Sequence, residues 1–168
     1  MKLLLVRHAI AEEREDYAST GKRDAERPLT EFGRRRMLKN ARGLRRVSPS
    51  VDIVVSSPYV RAKETARIVG ATLGVKSNAV TETLTPERHP KEFLIWLSDQ
   101  PADVVVAAVG HEPHMGRLLQ WAIAGKAEAR AVFKKGGACL IEFEGAATAG
   151  AGVLHWLVTP AQLRSIAE

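Results

Sequence analysis

The sequence has little of what several common protein classes require. Its 168 residues include a single cysteine, Cys139, which excludes an internal disulfide and a cysteine-based metal cluster. We expect Cys139 to be a small buried apolar residue. Only the short apolar run at positions 3–6 separates Lys2 from Arg7, far less than a signal peptide or a membrane span needs. We therefore expect a cytoplasmic protein with no membrane partner.

Two signature motifs of other enzyme classes are also absent. The chain has no Gly-x-Ser-x-Gly nucleophile elbow. It has no phosphate-binding glycine loop that ends in Gly-Lys-Ser or Gly-Lys-Thr. Aromatic residues are 5% of the chain, and none lies among the basic residues at 34–46. The stacking surface of a single-strand binder is therefore missing, and we do not expect a nucleic-acid partner.

The composition fits one globular domain, which we place at residues 1–168, because 45% of the residues are hydrophobic. A net charge of +6 favours an anionic partner, such as a nucleic acid, a phosphorylated protein or a phosphate ester. Much of that charge lies on one face of a predicted helix, at Arg35, Lys39, Arg42 and Arg46. Such a face is either a solvated outer surface or a binding surface for anions.

Short apolar runs alternate with amphipathic segments along the chain, a pattern typical of an α/β fold. The predicted loop at Glu12 to Arg27 is long and polar, and it follows the first strand directly. Strands are predicted at 2–6, 52–56, 78–83 and 103–109, and a hairpin at 138–144 and 153–158. Helices are predicted from Thr30, from Ser57-Pro58 to Gly74, around 93–97, up to Gly125 and at 160–167.

Three of these strands end at residues that carry chemistry. Arg7 and His8 follow the first strand, Arg61 lies just beyond the second, and His111 follows the strand at 103–109. The carboxyl ends of parallel strands meet at one edge of a sheet, so we expect the four side chains to converge. The helix starts at the same edge add free backbone amides, which suit a dianionic phosphoryl group.

The residue types narrow the chemistry of this predicted site. A metal site would place carboxylates or cysteines beside the histidines, and arginines would repel the ion. Attack on phosphorus by a histidine, with arginines holding the phosphoryl oxygens, is the mechanism that remains.

Five motifs, taken in order, resemble those of the histidine phosphatase superfamily, which contains phosphoglycerate mutases and acid phosphatases. The short chain and the Leu84-Thr85-Pro86 element look most like its SixA-type phosphohistidine phosphatases. The motifs are Leu5-Val6-Arg7-His8-Ala9, Arg27-Pro28-Leu29-Thr30 with Gly33, Ser56-Ser57-Pro58 with Arg61 and Thr65, Glu82-x-Leu84-Thr85-Pro86, and Gly110-His111-x-Pro113.

The resemblance implies a three-layer α/β/α fold with a mainly parallel central sheet, phosphoglycerate mutase-like. It also implies a phosphatase that needs no metal and no cofactor and that works through a phosphohistidine intermediate. By the same resemblance His8 is the nucleophile, Arg7 and Arg61 bind the phosphoryl oxygens, and His111 donates to them.

Two further residues come from the resemblance alone. Arg27 matches an arginine of the phosphate pocket in SixA-type proteins. Glu82 lies where many members carry their general acid, although a salt bridge to an arginine would explain it equally well. The chain departs from the family pattern at Ala9, where glycine is usual, and at Ile10, where an acidic or amide residue is common.

The favoured substrate is phosphohistidine on a protein, because so short a chain leaves little room for insertions that enclose small molecules. A small phosphate ester is the second substrate class, while a mutase would need a closed, dry pocket. The third possibility is a module that binds phosphoryl groups or nucleic acid and performs no chemistry. The residues alone leave open whether the loop at 12–27 closes over the ligand.

Overall fold

The computed structural model describes residues 1–75, 78–126, 128 and 131–168. In this part of the chain, strands in the order β3-β2-β4-β1-β5-β6 form one six-stranded sheet. The strands are β1 (Lys2–Arg7), β2 (Ile53–Ser56), β3 (Asn78–Val80), β4 (Val105–Gly110), β5 (Ala138–Glu142) and β6 (Val153–Val158). The helices are α1 (Arg14–Ser19), α2 (Glu31–Val47), α3 (Val60–Leu73), α4 (Pro90–Ser98), α5 (His114–Ala124) and α6 (Pro160–Ala167).

The sheet is mainly parallel, as predicted. β3, β2, β4 and β1 run parallel to one another, whereas β5 and β6 form an antiparallel hairpin that pairs with β1. β1 and β4 are neighbours, with Arg7 opposite Gly110 in the register. Both strands are almost entirely apolar and buried, which is the pattern of strands covered on both faces.

Helices cover both faces of the sheet and complete the three layers. Buried residues of α2, α3 and α6 form one apolar cluster with the strands, and those of α4 and α5 form another. Thr30 caps α2 by accepting a hydrogen bond from the Gly33 amide. Gly74 and Gly125 end α3 and α5 with φ of 82° and 65°, which only glycine adopts at little cost. The predicted helix ends are thereby confirmed.

The structure corrects three local predictions. The segment 12–27 is not a plain loop, because it holds α1 and a 3-10 turn at Asp24–Glu26. Periodicity did not reveal α1, since this six-residue helix buries only Tyr17. The third strand stops at Val80 and is followed by a 3-10 turn at Glu82–Leu84. Helix α3 begins at Val60, so Ser57 does not cap it.

Two predictions from composition can be compared with the fold. Cys139 is fully buried in β5, and burial raises the pKa of its thiol well above the usual range. None of the helices in the described ranges is both long and apolar enough to cross a lipid bilayer.

Candidate active site

The strand ends meet as predicted. β1, β2 and β4 are adjacent in the sheet, and the residues that follow them line one cavity of about 210 Å³. Arg7, His8, Arg61 and His111 all belong to that lining, and so does Arg27. We call this space the catalytic cavity.

His8 is held with one ring nitrogen committed to the backbone. Its Nδ1 lies 2.7 Å from the carbonyl oxygen of Ala9, and because a carbonyl can only accept, Nδ1 carries the proton. The Ala9 amide donates in turn to Oγ1 of Thr65 at 3.0 Å. No non-glycine residue in the described ranges has a positive φ, so alanine fits at position 9 without backbone strain.

The surroundings of His8 keep its ring neutral. Burial lowers the pKa of His8 to about 3 against the opposing effect of the Ala9 hydrogen bond, and the charges of Arg61 and Arg7 lower it further. A neutral imidazole protonated on Nδ1 has a free electron pair on Nε2. The ring that lines the catalytic cavity is therefore in the form of a nucleophile.

His111 lies beside His8, with 5.0 Å between the ring centroids. Its Nε2 is 2.9 Å from Oγ of Ser57, so Ser57 orients this ring rather than capping a helix. The buried Nδ1 has no hydrogen-bond partner in the part of the chain described. Burial lowers the pKa of His111 to about 2, with further contributions from His8 and Arg61.

Asp24 fixes two arginines of the cavity, and sequence analysis missed it. Its Oδ2 accepts from Nη2 of Arg61 at 2.9 Å, and its Oδ1 accepts from Nε of Arg27 at 2.8 Å. Although partial burial opposes ionisation, the hydrogen bond from Arg27 and the charge of Arg61 hold the pKa of Asp24 below its usual range. Arg27 also donates to the Glu12 carbonyl oxygen at 2.6 Å. The segment 12–27 is thus tied to the site by charge-assisted hydrogen bonds.

Arg61 itself is 2% exposed. Its guanidinium lies over the ring of Tyr59, 4.9 Å from the centroid, and the Tyr59 ring is 5.0 Å from that of His111. Nε of Arg61 is buried without a hydrogen-bond partner among the described residues. Stacking and ion pairing therefore hold the Arg61 guanidinium in one orientation at the cavity that it lines.

Arg7 is positioned through the backbone of Phe133. The Arg7 guanidinium donates to the Phe133 carbonyl oxygen, and the Phe133 amide donates to Oε1 of Glu112 at 2.7 Å. Glu112 also lines the catalytic cavity. Burial lowers the pKa of the Arg7 guanidinium, and the negative charge of Glu112 partly offsets this effect.

Glu82 does not join these residues. Its side chain is exposed in the 3-10 turn after β3, and it is not among the residues that line the catalytic cavity. The geometry therefore gives no support for Glu82 as a proton donor. The carboxylates that line the cavity are Glu13 and Glu112, and the other lining residues that sequence analysis missed are Arg14, Pro86 and Lys135.

The arrangement suits a phosphoryl group better than a cation. Three buried or half-buried arginines, Arg7, Arg27 and Arg61, surround a neutral histidine. Within the described ranges, no three His, Cys, Asp or Glu side chains group closely enough to hold a metal ion. Positive charge around such a cavity stabilises the equatorial oxygens of a phosphoryl group in transfer.

Comparisons with known proteins agree with this geometry. The family model of the histidine phosphatase superfamily (branch 1) matches residues 3–93. An uncharacterized protein of Picosynechococcus sp. is 35% identical over 124 residues, which are 73% of this chain and 71% of that protein.

The fold also matches solved structures over almost its whole length. The protein histidine phosphatase SixA, solved with tungstate, superposes with a TM-score of 0.82 at 24% identity, covering 97% of this chain and 99% of that one. A protein of Nakamurella multipartitia assigned to SixA superposes with a TM-score of 0.74 at 26% identity, covering 95% of each chain.

Proposed function

The chain belongs to the histidine phosphatase superfamily and is a phosphatase, and from this premise we propose that it hydrolyses phosphohistidine on a protein, without a metal ion. The observation that carries the proposal is the state of His8. Its ring is neutral, protonated on Nδ1, and lines a cavity that also presents Arg7, Arg27 and Arg61.

In the first step Nε2 of His8 attacks phosphorus, and the bond between phosphorus and the substrate nitrogen breaks. Arg7 and Arg61 bind the phosphoryl oxygens, which places the group in line for attack. His111 donates to an oxygen on which charge develops. The Nδ1 hydrogen bond to Ala9 stabilises the positive charge that the His8 ring gains on phosphorylation.

In the second step a water molecule attacks the phosphoryl group on His8, the bond to Nε2 breaks, and inorganic phosphate is released. Glu13 and Glu112, the two carboxylates that line the cavity, are the candidates to accept the proton of that water.

The exposed position of Glu82, outside the lining of the catalytic cavity, matters less for a nitrogen leaving group than for an oxygen one. A phosphorylated imidazole protonated on its other ring nitrogen leaves as neutral imidazole, so no dedicated acid has to protonate the leaving atom. An alkoxide leaving group, by contrast, needs a proton from a positioned acid. An ester would need that proton from Glu13 or Glu112, whereas phosphohistidine needs none, and this difference supports phosphohistidine as the substrate. The superposition on SixA, a protein histidine phosphatase by name, supports the same choice.

The test measures release of phosphate in EDTA from a phosphohistidine-bearing protein and from a panel of small phosphate esters. His8→Ala is the inactive variant, and His155→Ala, on the exposed part of β6, is its matched control. We expect wild type and His155→Ala to hydrolyse the phosphoprotein faster than the esters, and His8→Ala to hydrolyse neither. A faster rate on one of the esters would assign a small-molecule substrate instead. Full activity of His8→Ala would overturn the mechanism.

A further inference from the structure

A row of neighbouring depressions, which share lining residues, leads from the catalytic cavity along α2. A neighbouring space of about 170 Å³ shares Lys135 with the catalytic cavity and includes Ala9, the residue next to the nucleophile. A third space, of about 550 Å³, lies between α2 and α6 and shares Phe32, Arg36 and Arg164 with the second. We call this third space the basic groove.

The basic groove carries a large excess of positive charge. Glu168 is the one acidic residue of its lining within the described ranges. Arg35 pairs with Glu31 one turn away, whereas Lys39 and Arg42 have no ion-pair partner among the described residues. The cations that line the groove are Arg35, Arg36, Lys39, Arg42 and Arg164.

Several of these cations are held in place before any ligand binds. Nη1 of Arg164 donates to Oδ1 of Asn40 at 3.1 Å, and Nδ2 of Asn40 donates to the Gly136 carbonyl oxygen at 3.3 Å. The Arg36 guanidinium lies 4.9 Å from the centroid of the Phe32 ring. A partner therefore meets a partly ordered surface, and less side-chain entropy is lost on binding.

We propose that the basic groove binds an acidic segment of the phosphorylated protein and thereby selects among phosphohistidine proteins. The inference rests on the proposed function, since the phosphohistidine occupies the catalytic cavity while the acidic segment follows the depression along α2. A basic groove repels basic segments of other proteins and steers acidic segments into the correct binding position. The groove thus acts on substrate choice and not on the chemistry at His8.

The residues that line the basic groove favour an acidic protein segment over a phosphate ester or a nucleic acid. A simple monophosphate ester places its one dianionic group among the arginines of the catalytic cavity and carries no second charge for the basic groove. Proteins that bind single-stranded nucleic acid combine basic side chains with several aromatic side chains on which the bases stack. The groove offers only Phe32 among its described lining residues, and the Arg36 guanidinium lies over that ring.

The first test measures binding without catalysis. Rhodamine-labelled peptides containing six glutamates or six glutamines are titrated with the protein at low ionic strength, and fluorescence anisotropy reports Kd. We expect wild type to bind the glutamate peptide at least about tenfold more tightly than the glutamine peptide, and the double variant Lys39→Glu/Arg42→Glu to lose that preference. The control Arg45→Glu/Arg117→Glu changes the net charge equally at exposed positions outside the groove and keeps the preference.

The second test compares kcat/KM for two phosphohistidine peptides, one with acidic and one with neutral flanking residues. We expect wild type to prefer the acidic peptide, and Lys39→Glu/Arg42→Glu to lower the ratio of acidic to neutral kcat/KM by about tenfold. The control variant should leave that ratio within about twofold of wild type.

The outcomes separate this proposal from the proposed function. Equal hydrolysis of both peptides together with equal binding would overturn the groove and leave the phosphohistidine substrate in place. Hydrolysis of neither peptide would overturn the substrate, while the anisotropy titration still decides on the groove. Tighter binding of a single-stranded oligonucleotide than of the glutamate peptide, lost in Lys39→Glu/Arg42→Glu, would assign the groove to nucleic acid and overturn the proposal.

Discussion

The carboxylate of Asp24 holds the guanidinium of Arg61, with Oδ2 2.9 Å from Nη2 and a second bond from Arg61 to the Asp24 backbone oxygen at 2.7 Å. The two residues are 37 positions apart in the chain. The contact joins the first turn of α3 to the segment between β1 and α2. A residue that touches no phosphoryl oxygen thus positions one that lines the catalytic cavity.

Replacement of Asp24 by alanine should weaken catalysis without unfolding the protein. Arg61 and Arg27 would each lose a charge-assisted hydrogen bond, and such bonds contribute about 1.5–3 kcal/mol. We expect kcat/KM for a small phosphate ester to fall by at least about tenfold. The control Glu26→Ala lies in the same 3-10 turn but pairs only with the exposed Arg23, so it should stay within about twofold of wild type. An equal loss in both variants would contradict a positioning role for Asp24.

Much of this site was predictable because its main residues follow strand ends. Arg7 and His8 follow β1, Arg61 follows β2 and His111 follows β4, and neighbouring parallel strands bring such residues together whatever their distance in sequence. The rule needs only apolar runs and the residues after them, both of which are visible in the sequence. The alternating apolar runs predicted an α/β fold and the antiparallel hairpin, and the family resemblance implied the mainly parallel sheet.

Asp24 and Glu112 were not predictable in this way because their roles depend on tertiary contacts. Asp24 lies in a polar segment without periodicity, and its partner Arg61 is far away in the sequence. Asp24 lies three residues before Arg27, and this was the one local signal, since residues at i and i+3 meet in a helical turn. Glu112 reaches Arg7 through the Phe133 backbone. Glu82 could not be placed in this way because β3 ends at Val80 and the 3-10 turn that follows leaves the Glu82 side chain exposed.

The low pKa of His8 predicts that kcat/KM falls only at unusually low pH. Burial and the neighbouring arginines lower its pKa to about 3, so the neutral nucleophile persists well below pH 6.5. We expect kcat/KM, corrected for ionisation of the substrate, to hold from pH 8 down to about pH 5. Nitrogen-15 NMR of the free enzyme should show the neutral Nδ1–H tautomer of His8 over the same range. Titration of His8 near pH 6.5 would contradict the geometry described for this site.

His114 is expected to make stability depend on pH. It is 0% exposed, and both ring nitrogens lack hydrogen-bond partners in the part described. Burial lowers its pKa to about 4, and the charge of Arg117 adds to this effect. The unfolded chain therefore binds a proton more readily than the folded one between about pH 6.5 and 4. Stability contributed by neutral His114 is present above this window and is lost as the pH falls through it.

Replacement of His114 by leucine should raise stability and flatten this dependence. The buried, unpaired ring nitrogens disappear, which is worth about 1–3 kcal/mol, and the slope of unfolding free energy against pH should fall by up to about 1.4 kcal/mol per unit. Urea denaturation at pH 7 and pH 5 measures both quantities. The control His155→Leu, at an exposed position of β6, should change stability by no more than about 0.5 kcal/mol. A slope in His114→Leu equal to that of wild type would show that other groups dominate the acid sensitivity.

The packing of α2 against α6 should depend on a hydrogen atom at position 43. Gly43 is buried in the middle of α2, and a methyl group there would collide with the backbone carbonyl of Leu163 in α6. The carbonyl cannot rotate away without moving the helix, so overpacking should cost about 1–3 kcal/mol. Gly145→Ala is the matched control, because a Cβ at position 145 meets nothing within 4 Å and φ there is not in the positive range. We expect the urea midpoint to fall in Gly43→Ala alone.

Because the basic groove lies between these two helices, Gly43→Ala should also weaken binding of the glutamate peptide more than it weakens inhibition by inorganic phosphate. An unchanged midpoint in Gly43→Ala would mean that α6 shifts freely on α2, and the ordered groove would then lose its structural basis.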